Sequence, residues 1–86
     1  MIKTLTEQRN LAASIARAVP APTDAELHDG WDTWSDNASI DPFSDALEAC
    51  PDIEAAELSD IVYETLGDIW ADARRATHVI EFGHYA

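Results

Sequence analysis

The C-terminal third of the chain repeats apolar residues at the spacing of an α-helix, and this pattern constrains the fold most. At 100° per residue these side chains fall within an arc of roughly 80°. They are Leu58, Val62, Leu66, Ile69, Ala73, Ala76 and Ile80. The pattern predicts one long helix with a buried face, from about residue 52 into the high seventies. The final stretch, HVIEFGHYA, leaves three structures open: a continued helix, a short strand, or a segment packed on a partner.

Two capping-box patterns predict where shorter helices begin upstream. TLTE places Glu7 three residues after Thr4, and TDAE places Glu26 three residues after Thr23. The first helix is expected to end before the prolines of VPAP. The second carries one apolar face and leads into SDNAS, which we predict to be a loop. Its apolar residues are Leu27, Trp31, Trp34 and Ala38, so we expect both tryptophans to pack in the core.

A third helix is predicted to begin at Asp41–Pro42, because Asp is a favourable N-cap and proline is tolerated at the first helical position. Phe43, Leu47 and Cys50 lie on one side of it, and Cys50, the only cysteine, is predicted to be a small core residue. No hairpin pattern occurs. We therefore expect residues 1–86 to form a single all-α domain, a compact bundle of three to four helices with short loops.

Acidic residues follow the outer faces of the predicted helices. The net charge is -12, and no Lys or Arg occurs between Arg17 and Arg74, a window that holds 15 of the 17 acids. The acids of the long helix lie opposite its apolar arc, at Glu57, Asp60, Glu64, Asp68 and Asp72. The second helix carries Asp29, Asp32 and Asp36, and the third carries Asp45, Glu48 and Asp52. Like charges at this spacing cost roughly 0.2–0.5 kcal/mol per pair.

Several interpretations explain such a surface. It can serve solubility alone. It can imitate a nucleic-acid backbone, because carboxylates four residues apart on a helix lie about 6 Å apart along its axis, a scale close to phosphate spacing. It can reflect adaptation to a high-salt cytoplasm, although the first helix carries few acids. A non-enzymatic adaptor or antitoxin that binds a basic protein would have the same composition.

This layout of charge, from Asp24 to Asp72 in a short helical chain without a catalytic motif, resembles the small phage-encoded inhibitors. These include DNA-mimic proteins and anti-CRISPR proteins. The resemblance lies in composition and charge layout, and no sequence motif carries it. It implies an inhibitor that binds the basic nucleic-acid-binding surface of a host complex, such as a CRISPR effector, in the cytoplasm of a bacterial cell.

The predicted partner-binding residues combine the acids of two helices with one apolar residue among them. Ile61 falls inside the acid stripe and is predicted to anchor the interface, as apolar groups within a polar rim often do. Tyr63 and Trp70, at the flank of the stripe, are further candidate anchors. The full set is Glu57, Asp60, Ile61, Glu64, Asp68, Asp72, Asp29, Asp32 and Asp36. We expect the five acids of the long helix to be replaceable without loss of the fold.

No catalytic, metal or cofactor site is expected from the sequence. His28, His78 and His84 do not have zinc-ligand spacing, and DGWDTWSDN lacks the EF-hand order of ligands. Exposed carboxylates also lack the unlike environments that acid–base catalysis needs. The net charge disfavours direct binding of nucleic acid or of anionic membranes. Without a signal peptide or apolar span, we expect a cytoplasmic protein that binds a basic protein surface. The apolar C-terminus would allow a homodimer.

Overall fold

Five helices joined by short connections make up the computed structural model, which describes the backbone of residues 4–83 and the side chains of residues 4–76. The helices are α1 (Leu5–Arg17), α2 (Asp24–Asp29), α3 (Trp31–Ala38), α4 (Ile40–Ala49) and α5 (Ala55–Gly83). No strand occurs in this part of the chain, so the expected all-α bundle is confirmed. Both predicted capping boxes are present, at Thr4 with Glu7 and at Thr23 with Glu26.

Three helices, α1, α4 and α5, enclose the core. α1 and α5 run in the same direction, since Arg9 pairs with Glu57 and Arg17 pairs with Asp68 further along. α4 runs the opposite way, so that the Cys50 thiol at its end donates to the carbonyl oxygen of Gln8 near the start of α1. The fully buried side chains come from all three helices and from the turn between α4 and α5, and include Ala12, Ala16, Ala46, Cys50, Leu58, Val62 and Leu66. The core role predicted for Cys50 is therefore confirmed.

The side chain of Gln8 fastens α1 to the turn that precedes α5. Its amide nitrogen donates to the Asp52 carboxylate at 2.9 Å, and its amide oxygen accepts from the Asp52 backbone N–H at 3.1 Å. Gln8 is only 2% exposed, so these hydrogen bonds satisfy polar atoms that water does not reach. Asp52, which the sequence placed on a solvent face, thus has a structural role.

The prediction of one continuous second helix is wrong, because the chain breaks at Gly30 into two helices, α2 and α3. This glycine has φ 106° and ψ 160°, a backbone conformation that residues with a Cβ rarely adopt. The chain turns there from α2 into α3, and Trp31 and Trp34 then face α5. Trp34 is buried and Trp31 is half-buried, which confirms their predicted packing. Their rings and that of Trp70 lie 5.6–5.9 Å apart, centroid to centroid.

The predicted loop SDNAS and the predicted start of the third helix are also wrong. α3 continues through Ala38, and α4 begins at Ile40, so Ser39 is the only residue between them. Pro42 is therefore the third residue of α4 rather than the first, and Asp41 is not its N-cap. The proline is still tolerated there because the first turn of a helix has no internal acceptors for its N–H groups.

The long helix α5 extends beyond the helices that bury it. At 1.5 Å per residue its 29 residues span about 43 Å, against about 20 Å for the 13 residues of α1. The predicted apolar arc is consequently buried through Leu66, half-buried at Ile69 and Ala73, and exposed at Ala76. The backbone is helical to Gly83, so of the three structures left open for the final stretch, the continued helix is the one found up to that residue. The side chains after residue 76, on which a homodimer would depend, lie outside the described part.

Candidate partner-binding surface

Ion pairs divide the predicted acid stripe of α5 into two groups. Glu57 binds Arg9 of α1 through two hydrogen bonds of 2.5 and 3.4 Å. Asp68 lies 3.7 Å from the Arg17 guanidinium, and Asp72 lies 3.3 Å from that of Arg75. All three acids are therefore neutralised within the chain, although no Lys or Arg lies between Arg17 and Arg74 in the sequence. The two pairs with α1 are not visible in the sequence because their arginines lie about 50 residues from the acids, whereas Asp72 and Arg75 are only three residues apart.

The pair between Arg9 and Glu57 also shifts both pKa values. Hydrogen bonding to Arg9 lowers the pKa of Glu57, and the same contact raises the pKa of Arg9 further. A carboxyl group whose pKa is lowered by folding stabilises the fold above its unfolded-state pKa, and this contribution disappears as the pH falls through its folded-state pKa. Both side chains are more than a third exposed, so the contribution is small.

Asp60 and Glu64 form the second group and point away from the bundle. Both are exposed, and neither makes an ion pair among the described side chains. They lie one helical turn apart, so their carboxylates are about 6 Å apart along the axis. Three further acids are exposed and make no ion pair among the described side chains: Asp29 at the end of α2, and Asp32 and Asp36 on α3. These five acids retain the properties predicted for a partner-binding surface.

Ile61 does not occupy the position predicted for an interface anchor. It is half-buried and packs against the core cluster that contains Ala12 and Leu58. It lies beside Glu57 and Asp68 on α5, on the side where these acids meet the arginines of α1. Trp70 is similarly committed to the fold, because its ring packs on Trp31 and Trp34. Among the predicted anchors only Tyr63 is exposed.

Large apolar side chains are instead exposed where α4 meets α5. Ile40 is 62% exposed, Leu47 is 42% exposed and Tyr63 is 37% exposed. Ile40, Phe43 and Tyr63 line a shallow cavity of about 340 Å³ together with Ser39, Ser59 and Val62. Leu47 is one turn beyond Phe43 on the same side of α4. We call Ile40, Phe43, Leu47 and Tyr63 the α4/α5 patch.

The α4/α5 patch borders the unpaired acids of α5. Asp60 lies three residues before Tyr63 on α5, so its side chain neighbours the patch, and Glu64 lies one further turn along the acidic face, four residues after Asp60. The Tyr63 hydroxyl lies 3.2 Å from the hydroxyl of buried Ser39, which fixes the ring against α4. The fold thus joins apolar and anionic groups that the sequence separates by about 20 residues. One signal was visible: Ile40 and Leu47 are seven residues apart, two turns of a helix.

Neither a metal-ligand cluster nor a membrane-spanning helix is found in the part of the chain that the structure describes. No three His, Cys, Asp or Glu side chains there converge on a common point. None of its helices is both long enough and apolar enough to cross a bilayer. Comparison of the chain with protein-family models, with curated proteins and with solved structures found no match.

Proposed function

We propose that this protein is a non-enzymatic inhibitor that covers the basic nucleic-acid-binding surface of another protein. The observation that supports this proposal is that two unneutralised acids, Asp60 and Glu64, lie one turn apart on α5, and that Asp60 neighbours Tyr63 of the exposed α4/α5 patch. The acids attract a surface that normally collects phosphates, and the patch supplies apolar contact. Interfaces of this kind place apolar anchors inside a polar rim.

Each part of this surface has a separate physical role. Unpaired carboxylates steer a basic partner and speed association, an effect that salt screens. Burial of Ile40, Leu47 and Tyr63 would then slow dissociation, because these side chains leave water only in the complex. A purely solvated acidic face needs no exposed Ile or Leu beside it. The surface therefore favours recognition over solubility alone.

The distribution of acids also argues against adaptation to high salt. Such adaptation would coat every exposed face, whereas the outer face of α1 carries Asn10 and Ser14, with Glu7 as its single acid. The arginines of α1 lean toward α5 and neutralise Glu57 and Asp68. The negative charge is thus concentrated on the α2–α5 side of the molecule.

A displacement experiment tests the proposal without requiring that the partner be identified first. Proteins of a bacterial lysate are bound to immobilised duplex DNA and to immobilised RNA, and the purified chain is then added. We expect the wild type to release a small set of proteins. The variants Asp60→Asn with Glu64→Gln, and Ile40→Ser, should release much less, while circular dichroism shows an unchanged fold.

A matched control separates local charge from net charge. Asn10→Lys with Ser14→Lys also makes the chain less negative by two charges, but on the exposed face of α1, so it should still release the same proteins. Failure of the wild type to release any protein, or equal release by all variants, would contradict the proposal. A partner that binds the chain and yet stays on the nucleic acid would identify an adaptor rather than an inhibitor.

A further inference from the structure

A second surface feature, separate from the α4/α5 patch, lies where the end of α1 meets α3 and α4. It is a groove of about 550 Å³, within the range of roughly 300–1,000 Å³ typical of ligand sites. Its apolar walls come from α1, from the VPAP connection and from the facing sides of α3 and α4. They include Val19, Ala38 and Pro42.

Every charged side chain that lines this groove is acidic. Asp41 and Asp45 lie one turn apart on α4 and are exposed, whereas Glu26 is partly occupied by its capping box with Thr23. Asn37 adds a side-chain amide, whose nitrogen donates to the Thr33 carbonyl oxygen. Neither Asp41 nor Asp45 makes an ion pair among the described side chains. The groove therefore combines an apolar floor with an anionic edge.

This combination suits one side chain above others, that of arginine. Its three methylene groups can lie on an apolar surface while the guanidinium reaches polar groups at the edge. A planar guanidinium also hydrogen-bonds carboxylates in a directed way that an ammonium does not. A carboxylate ligand would meet three like charges, and a wholly apolar ligand would bury the edge carboxylates without partners.

We propose that the groove binds a short segment of the partner in which an arginine stands between apolar residues, with the guanidinium on Asp41 and Asp45. This proposal deepens the proposed function and rests on it, because it assumes a basic partner. The guanidinium would lie on the two aspartates of α4, and the flanking apolar side chains would lie on Val19 and Pro42. A second copy of the chain is a poor occupant, because two molecules of net charge -12 repel each other.

The experiment measures binding of acetyl-Leu-Arg-Leu-amide to the ¹⁵N-labelled full chain by NMR titration. We expect shifts at the amides of Val19 and Ala38 and at the side-chain amide of Asn37. Asp45→Asn should weaken binding by about threefold or more, since it removes a charge-assisted hydrogen bond. The matched variant Glu48→Gln also removes one charge from the exposed face of α4, but this residue does not line the groove. It should bind as the wild type does.

Three peptide controls complete the test. The peptide with citrulline in place of arginine, and acetyl-Ser-Arg-Ser-amide, should both bind more weakly. Equal binding by the citrulline peptide, an equal effect of Asp45→Asn and Glu48→Gln, or equal binding of arginine amide alone would overturn the proposal. Groove signals that shift with protein concentration alone would show that a second copy covers the groove, which would also overturn it. Peptide binding in the groove without release of proteins from DNA or RNA would contradict only the proposed inhibition. Release of proteins without peptide binding would contradict only the proposal that the groove binds an arginine segment.

Discussion

At the scale of single residues, Gly30 marks the point where the chain changes direction between α2 and α3. Its backbone angles, φ 106° and ψ 160°, turn the chain between α2 and α3 and so bring Trp31 and Trp34 onto α5. Nothing lies within 4 Å of the position that a Cβ would occupy there. A substitution at Gly30 would therefore be destabilising because of its backbone angles, since a Cβ would not clash with any neighbouring atom.

We expect Gly30→Ala to lower the free energy of unfolding by about 1–3 kcal/mol, because the backbone region it occupies is strained for any residue with a Cβ. Gly67 is the matched control. It lies inside α5, and a Cβ added to it would also have no atom within 4 Å. Gly67→Ala should raise the free energy of unfolding by roughly 0.5–1 kcal/mol through helix propensity. Urea unfolding followed by circular dichroism measures both, and equal effects of the two changes would contradict this explanation.

The same residue shows where the sequence stops predicting the structure. The capping boxes at Thr4 and Thr23 are local patterns within four residues, and both form as expected. A glycine inside an apolar pattern, by contrast, is compatible with a straight helix and with a break. The break at Gly30 places Trp31 and Trp34 against Trp70 of α5, some 40 residues away, and no local pattern contains this contact.

At the scale of helices, α5 has two acidic edges with different neighbours. Glu57 and Asp68 face α1 and meet its arginines, while Asp60 and Glu64 face solvent. The sequence predicts one apolar arc and one opposite acidic face, and this much is correct. The sequence could not show which of these acids would face α1 and which would face solvent, because this depends on which helix packs beside α5. Glu57 and Asp68 are paired with α1, Asp72 is paired with Arg75 of α5 itself, and Ile61 is half-buried and packs against the core.

Charge reversal at the two edges should consequently have opposite effects on stability. Asp60→Lys with Glu64→Lys places lysines one turn from Glu57 and Asp68, so two repulsive pairs become attractive while positions 60 and 64 still repel each other. Thermal unfolding should therefore stay unchanged or move upward slightly. Glu57→Lys with Asp68→Lys makes the same change in charge but places lysines against Arg9 and Arg17, so the midpoint should fall. Circular dichroism melting at low ionic strength compares the two variants directly. Equal melting of both would mean that the interhelical ion pairs contribute nothing measurable.

At the scale of the whole molecule, most of the negative charge lies on the same side as the exposed apolar side chains Ile40, Leu47 and Tyr63, while α1 exposes one further large apolar residue, Leu5. The cations of α1, Arg9 and Arg17, are turned toward α5 and are paired with acids there. Neither the cavity of the α4/α5 patch nor the groove beside Asp41 and Asp45 is lined by a Lys or Arg. Self-repulsion among the acids is therefore concentrated on one side of the molecule, and the core that α1, α4 and α5 enclose is formed by apolar burial.

This distribution predicts how stability responds to salt. We expect cooperative thermal unfolding already at about 0.01 M NaCl, where the Debye length of roughly 30 Å leaves repulsion almost unscreened. At about 1 M NaCl, with a Debye length of roughly 3 Å, the midpoint should rise modestly, because self-repulsion among the unpaired acids is screened. Chloride salts are required, since sulfate stabilises proteins by exclusion from their surface. A chain that unfolds without cooperativity in dilute buffer and folds only near molar salt would instead show that its acids are an adaptation to salt. Recognition of a basic partner would then lose its main support, because the acids of all helices would be explained without one.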